Sequence, residues 1–209
     1  MKILIIGATR GIGLRVLQQA LIKDHDITVL ARSPQKLAVE HERLQVLQGD
    51  ICDNNAVGST TEGLDAVINC IGIRPTRKPV SVFSEGITNV LESMDKNRVN
   101  LLISVTGIGA GDSRGHGGFF YDKIFQPLLL NTIYEDKDRE ESLIKDSQVN
   151  WIIVRPGFLT NGPMTGTYRV LTDMTDVKAG KISRADVAHF ILNQLDSSEY
   201  LSQTPMLTY

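Results

Sequence analysis

Two cysteines in 209 residues, Cys52 and Cys70, form neither a disulfide framework nor a Cys-x-x-Cys pair. They read as free buried thiols in a reducing compartment, and the expected location is cytoplasmic. No apolar run approaches the roughly 20 residues that a membrane-spanning helix needs. The run that follows Lys2 stops at Gly7, too soon for a signal-peptide core, so it reads as a strand. Neither sign of charge dominates, since 22 Lys and Arg stand against 24 Asp and Glu, a net charge of −2. There is no global pull toward nucleic acid or an anionic membrane, and neither is expected as a partner. Internal repeats and low-complexity linkers are absent too, which excludes solenoids and tethered modules. What remains is an ordinary globular composition, 42% hydrophobic and 22% charged. The length suits one domain, 1–209, and the expected partner is a small molecule. The sequence carries no signal for an oligomeric state.

Apolar runs rich in β-branched residues recur at 2–6, 27–31, 44–47, 66–71, 101–105 and 151–154. Helical periodicity lies between them. Ile12, Val16, Leu17, Ala20 and Leu21 share one helix face, and Ile87, Val90, Leu91 and Met94 share another. Continuous apolar strands separated by helices predict an α/β fold. Its mostly parallel sheet is doubly wound, Rossmann-type, with helices on both faces. Ser183-Arg184-Ala185-Asp186 resembles a capping box, and 204–209 reads as a last edge strand. Residues 157–209 form a small substrate-side region.

The first strand runs into Gly7-Ala8-Thr9-Arg10-Gly11-Ile12-Gly13. Gly7 permits a tight turn, Gly11 leaves the backbone bare, and Gly13 lets the helix approach the sheet. Such a turn places a pyrophosphate on helix N–H groups, with Thr9 and Ile12 in the same cradle. The spacing is Gly-x-x-x-Gly-x-Gly, with Arg10 before the second glycine. At the end of the second strand, Ala31-Arg32-Ser33 stands where an acidic residue would hold the ribose of NAD. Arg32 and Arg10, with the Ser33 hydroxyl, suit a 2′-phosphate, so NADP(H) is preferred to NAD(H). Asp50-Ile51 follows the third strand, where Asp50 can accept from adenine, while Asp53 reads as a helix cap. Cys70 and Gly72 follow the fourth strand, beside the cofactor ribose. Gly72 allows close backbone approach, whereas Cys70 reads as a small hydrophobe.

Segment 106–118 holds Gly107, Gly109, Gly111, Gly115, Gly117 and Gly118. Two readings stand for it: a surface loop, or a lid over the ligand edge.

These motifs, with Ile103-Ser104-Val105-Thr106-Gly107, Lys137 with Glu141, and Trp151 through Gly157, resemble those of an atypical short-chain dehydrogenase/reductase. The likeness covers nearly the whole chain. It is nearest to the single-domain NAD(P)H-binding group that includes biliverdin/flavin reductases and nitrogen-regulator-like proteins. The resemblance implies that the turn at Pro156, Gly157 and Phe158 lies near the nicotinamide. It also implies that Lys137 holds the nicotinamide ribose, and that Thr106, or else Ser104, supplies a hydroxyl. The wider superfamily uses Tyr-x-x-x-Lys, with Tyr as the proton donor or acceptor. Here Ile133 occupies the Tyr position, and Tyr134 is one residue later, about 100° around a helix. Tyr134 reaches the site only if the helix starts late or is irregular. Tyr121 and His116 are further proton candidates.

An acid-free site fits reduction of a flavin, quinone or tetrapyrrole, in which stacking carries much of the rate and solvent supplies protons. Phe119, Phe120, Phe125, Leu128, Leu129 and Leu130 could then line a flat pocket, although helix core or a subunit contact suits most of them better. The expected function is an NADP(H)-dependent oxidoreductase, a reductase of a small flat or carbonyl acceptor. A non-catalytic NADP(H)-binding redox sensor ranks second. A sugar-nucleotide epimerase or dehydratase ranks third, because about 50 residues after Gly157 leave little room for a substrate domain.

Overall fold

Strand β1, Lys2–Ile6, is buried on both faces. Its side chains alternate, so Ile3 and Ile5 enter one apolar cluster and Leu4 and Ile6 the other. The computed structural model describes residues 1–175 and 177–209, with Phe125 described by its backbone alone. The remaining parallel strands are β2 Asp26–Ala31, β3 Leu44–Gln48, β4 Ala66–Asn69, β5 Leu101–Val105 and β6 Asn150–Pro156. Three short strands follow: β7 Phe158–Thr160, β8 Arg169–Leu171 and β9 Lys181–Ser183. The last strand is β10, Met206–Thr208.

The main sheet runs β3-β2-β1-β4-β5-β6-β10-β8, and every pairing is parallel except β10 with β8. Strands β7 and β9 form a separate parallel pair. The 204–209 strand is therefore not an edge strand. It is inserted between β6 and β8, where Met206 and Leu207 are wholly buried.

Helices cover both faces. Helices α1, Gly11–Ile22, and α5, Arg184–Asn193, pack on the Ile3 side, each through its apolar stripe. Helices α2, Asn54–Gly58, α3, Val82–Asn97, and α4, Asn131–Lys145, lie on the Leu4 side. The strand order reverses between β1 and β4. That switch point opens a crevice at the strands' carboxyl ends.

Caps set the helix starts. The Asp53 carboxylate accepts from Asn55 and Ala56 N–H on α2, and Ser183 Oγ accepts from Asp186 N–H on α5. Asp186 does more than the capping pattern suggests. Fully buried, it accepts from Thr165 and Gly166 N–H and from the hydroxyls of Thr165, Ser183 and Tyr209. It thus joins α5, the loop before β8 and the chain end. Burial acts to raise its carboxyl, but these hydrogen bonds outweigh it and hold the pKa below the ordinary value.

Asp186→Ala should lose about 2–3 kcal/mol in urea unfolding, because it strands several buried donors. A depressed folded pKa stabilises above the unfolded value and is lost as pH falls through the folded one. Wild-type stability should therefore drop below about pH 4, and Asp186→Asn should flatten that limb.

Candidate functional site

The crevice holds a cleft of about 960 Å³ that runs from the end of β3, past the β1–α1 turn, to β6 and β7. A volume of this order suits a large organic ligand. The β1–α1 turn forms its floor. Gly7 and Gly11 adopt left-handed backbone, at φ of 85° and 66°. A methyl on Gly7 would lie 2.6 Å from the Cys70 carbonyl oxygen, whereas one on Gly11 would meet nothing within 4 Å. Gly13 abuts the Gly7 backbone, so α1 starts directly against the strand end. Arg10 precedes α1 in extended backbone and gives it no side-chain cap, and the first turn holds no acidic residue. These N–H groups suit an anion. A pyrophosphate fits this bare cradle.

At one end of the cleft lie Arg32, Ser33, Asp50 and Ile51. Arg32 is mostly exposed, with one guanidinium nitrogen 4.0 Å from the Asp50 carboxylate. Arg10 Nη2 is 3.4 Å from the Gly72 carbonyl oxygen. Cys70 and Gly72 line the middle. Burial pushes the Cys70 thiol up to about 12, which leaves it protonated and inert. Cys52, by contrast, is exposed, so the two thiols are not both buried as the sequence suggested.

The far wall is built by β5, α4, β6 and the turn between β6 and β7. A π-helical stretch, Tyr121–Leu130, contains Pro127 and leads into α4 at Asn131. From Asn131 on, α4 is a regular α-helix, yet Ile133, Tyr134 and Lys137 all border the cleft, so Tyr134 reaches it without the late or irregular helix start that the sequence spacing called for. The hydroxyls of Tyr134 and Tyr121 lie 2.8 Å apart, and Tyr121 donates to the Ile108 carbonyl at 3.2 Å. Burial raises the Tyr134 phenol well above its ordinary value, and the neighbouring Tyr121 adds to the shift. With the Tyr121 proton on the Ile108 carbonyl, Tyr134 donates its own proton to Tyr121, so toward the cleft it is a neutral acceptor and not a base.

Lys137 borders the cleft from inside. Its ammonium donates to the Val105 carbonyl at 3.2 Å and to Glu140 Oε2 at 3.1 Å, and lies 4.0 Å from the Phe83 ring centre. Glu140 also accepts from Ser104 Oγ and Asn69 Nδ2. Burial pushes the Glu140 carboxyl up, against the pull of Lys137.

Beside this group, Glu141 accepts bidentately from Arg155, at 3.0 and 2.5 Å, and from Thr106 Oγ1 at 2.8 Å. Arg155 is fully buried and also pairs with Asp112. Burial opposes its charge, but Glu141 and Asp112 more than offset that, so its pKa rises.

This pairing settles the glycine-rich segment. It is not a loose surface loop along its first half, since Ile108, Ala110 and Ser113 are buried. Gly111 N–H and Arg114 both bond Asp138, and Gln126 donates to the Gly109 carbonyl.

The chain matches the model of a family described as NAD(P)H-binding over residues 7–198. It belongs to that NAD(P)H-binding family. The Bacillus subtilis (strain 168) protein YwnB is 26% identical over 97% of this chain and 96% of its own length. A second protein of that strain, YhfK, described as an uncharacterized sugar epimerase, is 26% identical over 94% of this chain and 88% of its own. Among solved structures, ChuY from Escherichia coli O157:H7, described as an anaerobilin reductase, superposes with a TM-score of 0.83. It is 25% identical and covers 100% of this chain and 97% of its own. A short-chain dehydrogenase/reductase from Veillonella parvula in complex with NADP has a TM-score of 0.84 at 16% identity, covering 100% of this chain and 94% of its own. That last likeness carries the fold alone.

Within this NAD(P)H-binding frame, the cleft gathers Gly7, Thr9, Arg10, Gly11, Ile12, Pro156, Gly157 and Phe158 along one surface with Thr106, Tyr134 and Lys137. Two expected site residues lie elsewhere. Ser104 shares with Thr106 the side of β5 that faces α4, but it lies back within the strand, fully buried and bonded to Glu140, whereas Thr106 lies past the strand's carboxyl end, where the cleft opens. Gly13 serves packing against Gly7 and does not line the cleft. Thr106 has its hydroxyl proton committed to Glu141, so toward the cleft it can only accept. Phe119, Phe120 and Leu128 are exposed and, like Leu129, do not line the cleft, which Leu130 does; the Phe125 side chain lies outside the described residues. His116 bonds the Val177 carbonyl.

Lys36, Arg74, Phe83 and Arg184 also line the cleft, and sequence reasoning missed them. Lys36 had a legible signal, a base four residues beyond Arg32 at the same strand end. Arg184 had none, since it reads as an ordinary first-turn residue.

Glu141→Leu should cost about 3–5 kcal/mol in denaturant unfolding, because it leaves a buried guanidinium with only the exposed Asp112 as partner. Adding Arg155→Met should restore part of that loss.

Proposed function

We propose that the protein is an NADP(H)-dependent reductase of a small flat or carbonyl acceptor, such as a flavin or quinone. One observation carries this reading. A single cleft joins the bare glycine cradle to an aromatic wall in which Tyr121 and Phe158 meet edge to face, with centroids 5.2 Å apart. Flat aromatic ligands pack well on such walls.

Gly7, Gly11 and the uncapped first turn of α1 would hold the pyrophosphate. Arg32, Ser33 and Lys36 would take a 2′-phosphate, and Asp50 the adenine amine. The bound dinucleotide supplies a hydride. Pro156, Gly157 and Phe158 shape the opposite end, so that an acceptor is held against the reacting ring by proximity and orientation. Lys137, drawn inward by Glu140 and Val105, presents its stem and one side of its ammonium there. Tyr134, whose proton goes to Tyr121, orients the acceptor by accepting a hydrogen bond from it, and solvent supplies the proton.

The name of YhfK, a sugar epimerase, favours epimerase chemistry as a second reading. Such chemistry needs a base to take a hydroxyl proton, and the raised Tyr134 phenol is poorly suited to that.

NADPH should bind more tightly than NADH and should reduce a flavin or quinone. Tight NADPH binding without turnover across flavin, quinone, aldehyde and UDP-sugar panels would favour a redox sensor. Arg32→Asp should weaken NADPH more than NADH; equal effects would remove the 2′-phosphate assignment. Tyr134→Phe should keep turnover within about tenfold, and a loss beyond about a hundredfold would make Tyr134 the proton donor.

A further inference from the structure

Four large apolar side chains stand in water along segment 119–128: Phe119, Phe120, Ile124 and Leu128. Phe119 and Phe120 leave 71% and 77% of their surface exposed, and their rings meet edge to face with centroids 5.7 Å apart. Phe120, Ile124 and Leu128 recur every four residues along the helical stretch, which puts them on one side of it. The other side is tied to the protein. Tyr121 donates to the Ile108 carbonyl at 3.2 Å, and buried Gln126 donates to the Gly109 carbonyl at 3.0 Å. The Asp122 carboxylate accepts from Gly117 N–H at 3.1 Å. The apolar side is thus held outward, although burial would favour the reverse. An exposed apolar cluster of this kind marks an interaction surface.

Cations border it. Loop 73–80 is strapped to the same stretch, since Arg77 Nε donates to the Leu128 carbonyl at 3.2 Å and Thr132 Oγ1 to the Thr76 carbonyl at 3.2 Å. Arg77 and Lys78 are exposed there, and Lys123 is exposed between Phe120 and Ile124. With Arg74, segments 73–80 and 119–130 hold four cations against the single acid Asp122, which is turned back onto Gly117. The whole chain, by contrast, has a net charge of −2. A chain with no global pull toward anionic surfaces therefore carries a local one.

Phe and Leu side chains rimmed by Lys and Arg match the boundary of a lipid bilayer, where acyl chains lie beneath anionic headgroups. The ten residues of Tyr121–Leu130 are too few to span a bilayer and suit its surface. A second copy fits less well, because a self-complementary contact would set these cations against one another.

We propose that this face docks on an anionic lipid membrane. Phe119, Phe120, Ile124 and Leu128 enter the headgroup boundary, and Arg77, Lys78 and Lys123 meet lipid phosphates. Tyr121 and Leu130, from the same stretch, line the cleft, so the docked membrane lies beside it. A lipid-soluble acceptor such as a quinone then enters from the bilayer, and that consequence alone rests on the reductase reading.

Co-sedimentation of the full chain with vesicles tests the docking, with phosphatidylglycerol mixed into phosphatidylcholine against phosphatidylcholine alone. The anionic vesicles should bind at least about tenfold more tightly, and high salt should weaken that binding. Phe119→Ser/Phe120→Ser should cut it at least about tenfold, and Lys78→Gln/Lys123→Gln at least about threefold. NADPH affinity and the thermal midpoint should not change in either double variant, because all four side chains are exposed. No binding to the anionic vesicles, equal binding to both lipids, or binding that survives both double variants overturns the proposal. So does a dimer, seen by sedimentation velocity, that Phe119→Ser/Phe120→Ser dissolves. If the wild type binds the anionic vesicles but NADPH reduces no ubiquinone dissolved in them, the docking stands and the quinone reading falls.

Discussion

The contact between Gly13 and Gly7 is the constraint on which the molecule depends. Helix α1 begins against the end of β1 with no room for a methyl group on either residue. That closeness aims the first-turn N–H groups into the crevice, and the lack of any protein cap leaves them available. It also brings the Cys70 backbone at the end of β4 against Gly7, which makes the switch point narrow and continuous. Every cleft residue is positioned relative to this junction.

A second set of contacts holds the opposite wall. Lys137, Glu140, Ser104 and Asn69 form one buried polar group, and Arg155, Glu141, Asp112 and Thr106 form another beside it. Buried charges are costly unless paired, so these groups contribute unique placement more than net stability. They immobilise the first half of the glycine-rich segment and fix which atoms face the ligand. Thr106 becomes an acceptor because Glu141 takes its proton. The cleft that results is cationic along its length, inside a chain whose overall charge is slightly negative.

Much of the fold was legible in the sequence, for a physical reason. Central parallel strands are buried on both faces, so β1, β4, β5 and most of β2 and β6 appear as continuous apolar runs, while the edge strand β3 is interrupted by Gln45 and Gln48; the helix stripes between them repeat at the helical period. The glycine turn was equally plain, since its spacing reflects local backbone needs. The 204–209 strand was found but misplaced, because its neighbours are distant in sequence: parallel β6 on one side and antiparallel β8 on the other. Tyr134 was hard to place for a similar reason. Tyr134 lies in regular α4, about 100° around from the expected position, but the cleft wall is broad enough that Ile133, Tyr134 and Lys137 all border it, and that breadth depends on Tyr121 and the β6–β7 turn packed alongside.

By itself the sequence determined the α/β class, the glycine turn, and Arg10 and Arg32 beside it, since these follow from periodicity and from backbone demands within a few residues. Only the tertiary structure decided which polar side chains face the ligand. Ser104 and Glu140 turn inward, Tyr134 joins Tyr121 at the wall, and Arg184 arrives from α5 to the far end of the cleft. Those outcomes depend on partners tens of residues away, and on the cost of leaving a buried charge or hydroxyl unpaired.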